Sequence, residues 1–261
     1  MSLYKKSLGQ NFLIDKNIIK KILKIVNIED RNIIEIGPGN GSLTDQILNL
    51  KPKSVLTIEK DNKLSLDLEK KYKNYRIFKN LNADVLKLDI EKFNVKNPII
   101  FGNLPYNISS QILVKFLKFK SWPPNYSDMI FMFQKELGEK ILGKFSSKKY
   151  GRISILTNYR LFSLNKFDVS PNCFFPKPKV NSTVIHFKPK EAIKPFLNNL
   201  SNLEKVTNIL FSNKRKMIKK NIFKVLKKDE VKKIDDLDLK LRPSKIKPEV
   251  YYKIAKLYEM R

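Results

Sequence analysis

One cysteine and one histidine, Cys173 and His186, stand in a chain of 261 residues. A single thiol excludes an internal disulfide and any cysteine-cluster zinc site. A single imidazole leaves a histidine-based metal centre without donors and gives a Ser-His-Asp triad little to build on, so no metal is expected. No run of about 18 apolar residues occurs, so no membrane-spanning helix is expected. The opening segment, Met1-Ser-Leu-Tyr-Lys-Lys, lacks the apolar core of a secretory signal, and a cytoplasmic location is expected. Acidic residues are scarce too. Asp and Glu total 25 against 53 Lys and Arg, for a formal net charge of +28.

Charge of that size suits a polyanionic partner, either nucleic acid or an anionic membrane surface. It also suits a composition biased toward Lys, which supplies all but seven of the basic residues. The codon usage of an AT-rich genome would give the same surplus. Placement therefore decides what the charge means. The apolar fraction, 42%, excludes a disordered chain, and the length fits one or two domains.

The first two-thirds of the chain alternates short apolar runs with helical patterns. Residues 32–36 (NIIEI), 54–59 (SVLTIE), 75–79 (YRIFK), 98–102 (PIIFG) and 128–134 (DMIFMFQ) read as buried strands, each bounded by turn residues. Residues 15–28 carry a wide apolar stripe behind a candidate N-cap, Asp15. Ser109 can cap a second helix, and residues 152–160 read as a third. This alternation predicts βαβ units and a parallel sheet covered on both faces. Residues 166–169 and 182–188 then look like two late strands, adding antiparallel edges. From Lys190 onward only helices are expected, over 202–211, 214–226, 231–237 and 248–258. The expected domains are therefore residues 1–189 and 190–261.

The chemistry lies in the first part. Gly37-Pro38-Gly39-Asn40-Gly41 follows the first of these strands and opens a helix. Glycines there let the backbone approach a ligand, and a helix start offers free N–H groups. Glu59 ends the second strand, where a carboxylate can accept both hydroxyls of a ribose. Asp84 follows the third strand and could accept from an adenine amino group. Glu35 precedes the loop, whose spacing is G-x-G-x-G rather than G-x-G-x-x-G. One nucleoside and a cationic centre suit this set of acids, and S-adenosyl-L-methionine fits that description.

Asn103-Leu104-Pro105-Tyr106 closes the fourth strand. Its residue types answer one demand, methyl transfer to an exocyclic amine whose lone pair is delocalised into a purine. The Asn103 side-chain oxygen and the Leu104 carbonyl can hold the two amine hydrogens and aim the lone pair. Pro105 fixes the local φ, and Tyr106 offers a face on which a flipped base can stack.

Together with Gly9-Gln10-Asn11-Phe12-Leu13, Glu35-Ile36-Gly37-Pro38-Gly39, Tyr150-Gly151-Arg152 and Phe174-Phe175-Pro176-Lys177-Pro178-Lys179-Val180, this segment resembles the KsgA/RsmA-type ribosomal RNA adenine dimethyltransferases. The likeness runs through essentially the whole chain. It implies a seven-stranded, Rossmann-like class I methyltransferase sheet with a small all-helical C-terminal domain. It also implies dimethylation, by S-adenosyl-L-methionine, of the N6-amines of two adjacent adenosines near the 3′ end of 16S rRNA in the small ribosomal subunit. Carried over by motif, Asn11, Leu13, Gly37, Glu59, Asp84 and Asn103 would hold the cofactor, and Phe174 would stack on the target base opposite Tyr106. Two departures stand out. Leu8 replaces a frequent aromatic, and Phe175 and Lys177 interrupt a loop often richer in small residues, which leaves open which Phe stacks.

The charge is densest late in the chain. Eight basic residues and no acid lie in 212–228, among them Lys214, Arg215, Lys216, Lys219 and Lys220. This is read as a basic helix that tracks an RNA backbone, while a merely solvated face remains the bland alternative. His186 is expected half-exposed on an edge strand, and Cys173 as a small buried or loop residue. A monomer is expected. The rival functions are a 23S rRNA adenine methyltransferase of the antibiotic-resistance type, a non-catalytic rRNA-binding assembly factor, and a DNA adenine methyltransferase, for which 72 helical residues leave little reading domain.

Overall fold

The computed structural model describes residues 10–261. Leu8 and Gly9 of the N-terminal motif lie outside the described residues. A two-residue strand, β1 (Phe12–Leu13), leads into α1 (Lys16–Leu23). Asp15 caps α1, its carboxylate accepting from the amides of Asn17 and Ile18 at 2.8 and 3.0 Å. Those are donors that a helix start otherwise leaves open. The helix stops five residues short of the expected Ile28, which is buried beyond its end.

Next come β2 (Asn32–Ile36), α2 (Ser42–Asn49), β3 (Ser54–Glu59), α3 (Asn62–Tyr72), β4 (Phe78–Asn82), β5 (Ile99–Asn103), α4 (Ser109–Leu117) and β6 (Asp128–Gln134). They alternate as the apolar runs predict. After them stand α5 (Lys135–Ile141), α6 (Arg152–Arg160), β7 (Leu161–Val169), β8 (Phe174–Phe175) and β9 (Ser182–Pro189). The remaining elements are helical: α7 (Leu200–Phe211), α8 (Lys219–Ile222), α9 (Lys228–Val231) and α10 (Pro248–Glu259).

Seven strands form one sheet in the order β4-β3-β2-β5-β6-β9-β7. Strands β2 to β6 run parallel, and β9 pairs antiparallel with β6. Burial on both faces of the central strands accounts for their largely apolar runs, with Ile33, Ile34, Phe101 and Phe131 almost fully enclosed. The chain leaves β2 toward β3 on one side and later returns to β5 on the other. Loops after β2 and β5 therefore diverge, and a crevice opens at the carboxyl ends of the strands. Apart from this sheet, β1 pairs antiparallel with β8, Phe12 opposite Phe175 and Leu13 opposite Phe174.

The chain divides into two compact units. One comprises residues up to Leu113 with Pro124–Gly138 and Ser163–Pro189. The other comprises Val114–Pro123, Glu139–Phe162 and Lys190–Arg261. Within the second, α6, α7 and α10 pack on one another through Tyr159 against Tyr252 and Phe211 against Tyr251, with ring centroids 4.8 and 5.6 Å apart. Buried Arg160 donates to the Leu117 and Phe119 carbonyls at the end of α4. Its guanidinium also lies 4.3 Å over the Trp122 ring.

Five readings are corrected. The strand expected over 75–79 lies at 78–82, because Tyr75 and Phe78 close turns after α3. Strand β7 begins five residues before the expected Lys166. The continuous basic helix over 214–226 is absent: Lys214 and Arg215 lie in a turn, and only Lys219–Ile222 is helical. The amides of Ile218 and Lys219 donate instead to the carbonyls of Leu241 and Leu239, at 2.8 and 3.2 Å. Likewise the helix expected over 231–237 is only α9, ending at Val231. Finally, His186 is buried rather than half-exposed. It sits on β9, which β7 covers, and its Nε2 lies 2.8 Å from Asp128.

Candidate active site

The glycine loop joins β2 to α2. Gly37 and Gly39 have φ of +67° and +59°, which side chains rarely adopt. A Cβ on Gly39 would also stand 2.8 Å from the Phe12 ring, so β1 lies close against the loop. The Gly37 amide donates to the Ile58 carbonyl at 2.9 Å, fixing the loop beside the end of β3.

Acids surround this loop. Glu59, last residue of β3, is buried and accepts from the amides of Gly39 at 3.1 Å and Asp61 at 2.9 Å. Burial raises its pKa, and those amides oppose the rise. Glu35 is 2% exposed, and its Oε2 accepts from the Thr44 hydroxyl at 2.7 Å. Burial, reinforced by the negative charge of Glu59 and Asp45, pushes its carboxyl up to about 7. Asp84 shows the opposite shift. Lys60 donates to Oδ2 at 2.9 Å and the Leu86 amide to Oδ1 at 2.9 Å, and the lysine holds the carboxyl below its ordinary range.

Asn103 ends β5 beside the loop. Its Nδ2 donates to the main-chain carbonyl of Asn11 at 2.9 Å. A carbonyl only accepts, so the nitrogen of the amide must face it and Oδ1 must turn the other way. Leu104 is buried. The Tyr106 hydroxyl sits 2.6 Å from that of Ser182 on β9, the Ser109 hydroxyl donates to the Tyr106 carbonyl at 3.2 Å, and the Ile108 amide donates to the Pro105 carbonyl at 3.1 Å. The turn is therefore tied at both ends before α4 begins.

These pieces line one open cleft. Asn11, Leu13, Gly37, Glu59, Asp84 and Asn103, the six expected cofactor residues, all border it, as do Leu104, Pro105 and Tyr106. Phe174 does not. It is 3% exposed and belongs to the apolar cluster that contains Leu13 and Val184. The expected RNA-binding residues Lys214, Arg215, Lys216, Lys219 and Lys220 belong to the second unit, and all five are exposed. Sequence reasoning missed Phe12, Thr44, Lys60 and Ser182. Only Phe12, inside the N-terminal motif, carried a local signal; the others meet the site through tertiary contacts 9 to 76 residues away.

Chemically the cleft offers paired carboxylates for hydroxyl and amino donors, a loop that admits close approach, and an oriented amide oxygen beside a fixed aromatic. No cluster of ligating side chains among the described residues could hold a metal ion, and no described helix is long and apolar enough to cross a membrane.

Residues 1–260 match the family model described as ribosomal RNA adenine dimethylase. The chain is 41% identical to the ribosomal RNA small subunit methyltransferase A of Pelagibacter ubique, over 98% of this chain and 97% of that one. Its structure is similar to that of a dimethyladenosine transferase from Plasmodium falciparum, with a TM-score of 0.75 and 25% identity over 93% and 95% of the two chains. The fold is also that of the 23S rRNA methyltransferase ErmE, at a TM-score of 0.69 and 21% identity over 96% and 100%.

Proposed function

The chain belongs to the ribosomal RNA adenine dimethylase family, and from that premise we propose that it dimethylates the N6-amines of two adjacent adenosines near the 3′ end of 16S rRNA, within small ribosomal subunits. In this reading it acts in the cytoplasm as a monomer, with S-adenosyl-L-methionine as methyl donor and no metal. The observation that carries the proposal is the Asn103 amide, bordering the cleft and turned by the Asn11 carbonyl so that its oxygen is the group left for an incoming amine.

The donor set fits the cofactor. Glu59 faces the loop as an acceptor for a vicinal diol, and Asp84 retains lone pairs for an amino group beside those that Lys60 and Leu86 use. Buried Glu35, which has an acid's charge and only a hydroxyl for a partner, favours a cation nearby. When bound, S-adenosyl-L-methionine supplies an electrophilic methyl group on a sulfonium centre. Asn11 and Leu13 would wall the site, and Gly37 would admit its amino-acid end.

The rest of the work falls to the Asn103 turn. Asn103 Oδ1 and the Leu104 carbonyl would accept the two hydrogens of the target amine, drawing its lone pair out of conjugation with the ring. Pro105 holds the turn, and Tyr106, its hydroxyl fixed on Ser182, presents a ring face to the base. Phe174 would back the opposite wall from within the apolar cluster. No strong base is required, because the methylated amine is already cationic and sheds its proton readily. In the second unit, residues 190–261 would bind RNA through Lys214, Arg215, Lys216, Lys219 and Lys220, exposed cations suited to phosphates.

The test is transfer of tritiated methyl groups from S-adenosyl-L-methionine to undermethylated small-subunit particles and, separately, to naked 23S rRNA. Label in the particles supports the proposal. Label only in 23S rRNA overturns it.

A further inference from the structure

We propose that Phe175 is a second base-stacking face, placed on the rim of the cleft, where it receives a nucleobase next to the one that Tyr106 holds. The inference rests on the RNA-methylating reading given above.

Neighbouring residues of a strand point to opposite sides, and β8 shows the consequence. Phe174 is 3% exposed and packs in the core, whereas Phe175 is 59% exposed. The register sets Phe175 directly opposite Phe12, and residues opposite each other in an antiparallel pair share a face. Phe12 borders the cleft and lies against the glycine loop. Phe175 thus continues the cleft's aromatic lining outward to the surface. Its position is fixed by the β1–β8 pairing and by the Ile14 amide, which donates to the Cys173 carbonyl at 2.9 Å.

The surroundings suit nucleic acid. Lys177 and Lys179 follow on the same segment and are exposed, supplying cations for the phosphates on either side of a stacked base. An exposed aromatic among cations holds single strands without reading their sequence, since every base has a π-face. The reaction also creates the need. Taking an adenosine out of its stack strips its neighbour of a stacking partner, and an aromatic on the rim replaces it. Tyr106 is committed to the transferred base, which leaves that neighbour to a second aromatic.

Phe175→Ala, with Phe175→Tyr as the conservative control, separates these roles. Loss of one stacked base predicts about a 5- to 150-fold rise in KM for small-subunit particles. The expected kcat stays within about twofold, and S-adenosylhomocysteine affinity is unchanged. Phe175→Tyr restores the wild-type KM. RNA affinity read by fluorescence anisotropy without cofactor should weaken in parallel. An alanine variant whose RNA affinity and KM stay within about twofold of the parent overturns the inference, as does one that loses kcat at constant KM. If the unaltered protein methylates no RNA, the reading of the cleft fails instead, and anisotropy still judges Phe175 by itself.

Discussion

Replacing Glu35 with Gln probes the buried acid beneath the glycine loop. Glutamine keeps the shape and an acceptor for the Thr44 hydroxyl, 2.7 Å away, but removes the charge. The carboxyl moves from an ordinary 4.5 to about 7, chiefly through burial. At about 1.4 kcal/mol per unit, a rise of that size corresponds to roughly 3 kcal/mol. The sign follows from proton counting. Between pH 4.5 and 7 the native chain keeps a proton that the unfolded chain has released, so stability contributed by this group falls as pH rises through that window. Glutamine has no such slope. The variant and the parent should therefore be equally stable near pH 4, and the variant should gain up to about 3 kcal/mol by pH 8. In a chain of this size that is a rise in Tm of about 6–12 °C. Thermal unfolding of both proteins from pH 4 to 8, without cofactor, measures the difference directly. A difference that stays flat across the range, or that favours the parent at pH 8, would refute the raised carboxyl that burial gives Glu35.

Other expectations follow from single contacts. Asn103→Ala should lower kcat by more than about 100-fold, the scale of losing one oriented polar group in a transition state, while RNA binding by filter retention stays near the parent value; equal activity would remove Asn103 from its role. Gly39→Ala forces a Cβ to within 2.8 Å of the Phe12 ring at a φ of +59°, so S-adenosylhomocysteine affinity by calorimetry should drop about tenfold or more from strain and displacement of β1. Replacing Lys214, Arg215, Lys216, Lys219 and Lys220 together by Ala should flatten the dependence of log RNA affinity on log salt by up to about four units, and an unchanged slope would leave those residues as a solvated face.

The legible parts of the fold are those where one principle dominates. Strands β2, β3 and β6 and helix α6 begin and end where their sequence patterns do, because enclosed strands are dominated by apolar residues and α6 starts after Gly151. Strand β4 was displaced in the sequence reading because an edge strand, FKNLN, is mostly polar, and the more apolar YRIFK beside it drew the assignment. The start of β7 was invisible for the same reason, with Phe162 to Lys166 exposed along an edge. The basic stretch kept its buried positions, Ile218, Ile222, Val225 and Leu226, without being one helix. Lysines four apart, such as Lys216, Lys220 and Lys224, repel along a helix face, and Leu239 and Leu241 offer carbonyls instead.

The site was legible where chemistry is local. Glycines, Glu59, Asp84 and the Asn103 turn all carry their meaning in a few residues of sequence. Their partners do not. Ser182 reaches Tyr106 only because β9 folds back beside β6, and Lys60 meets Asp84 only because β3 and β4 are neighbours. Phe174 and Phe175 could not be told apart until the β1–β8 register assigned one to the core and the other to the surface.

The central claim is the identity of the methylated atoms. Undermethylated small-subunit particles would be incubated with the protein and S-adenosyl-L-methionine, and the 3′ end of their 16S rRNA analysed by nucleoside mass spectrometry. The account predicts N6,N6-dimethyladenosine at two adjacent positions, with none formed by the Asn103→Ala variant. Methylation at carbon, at a single adenosine only, or solely in 23S rRNA would contradict it.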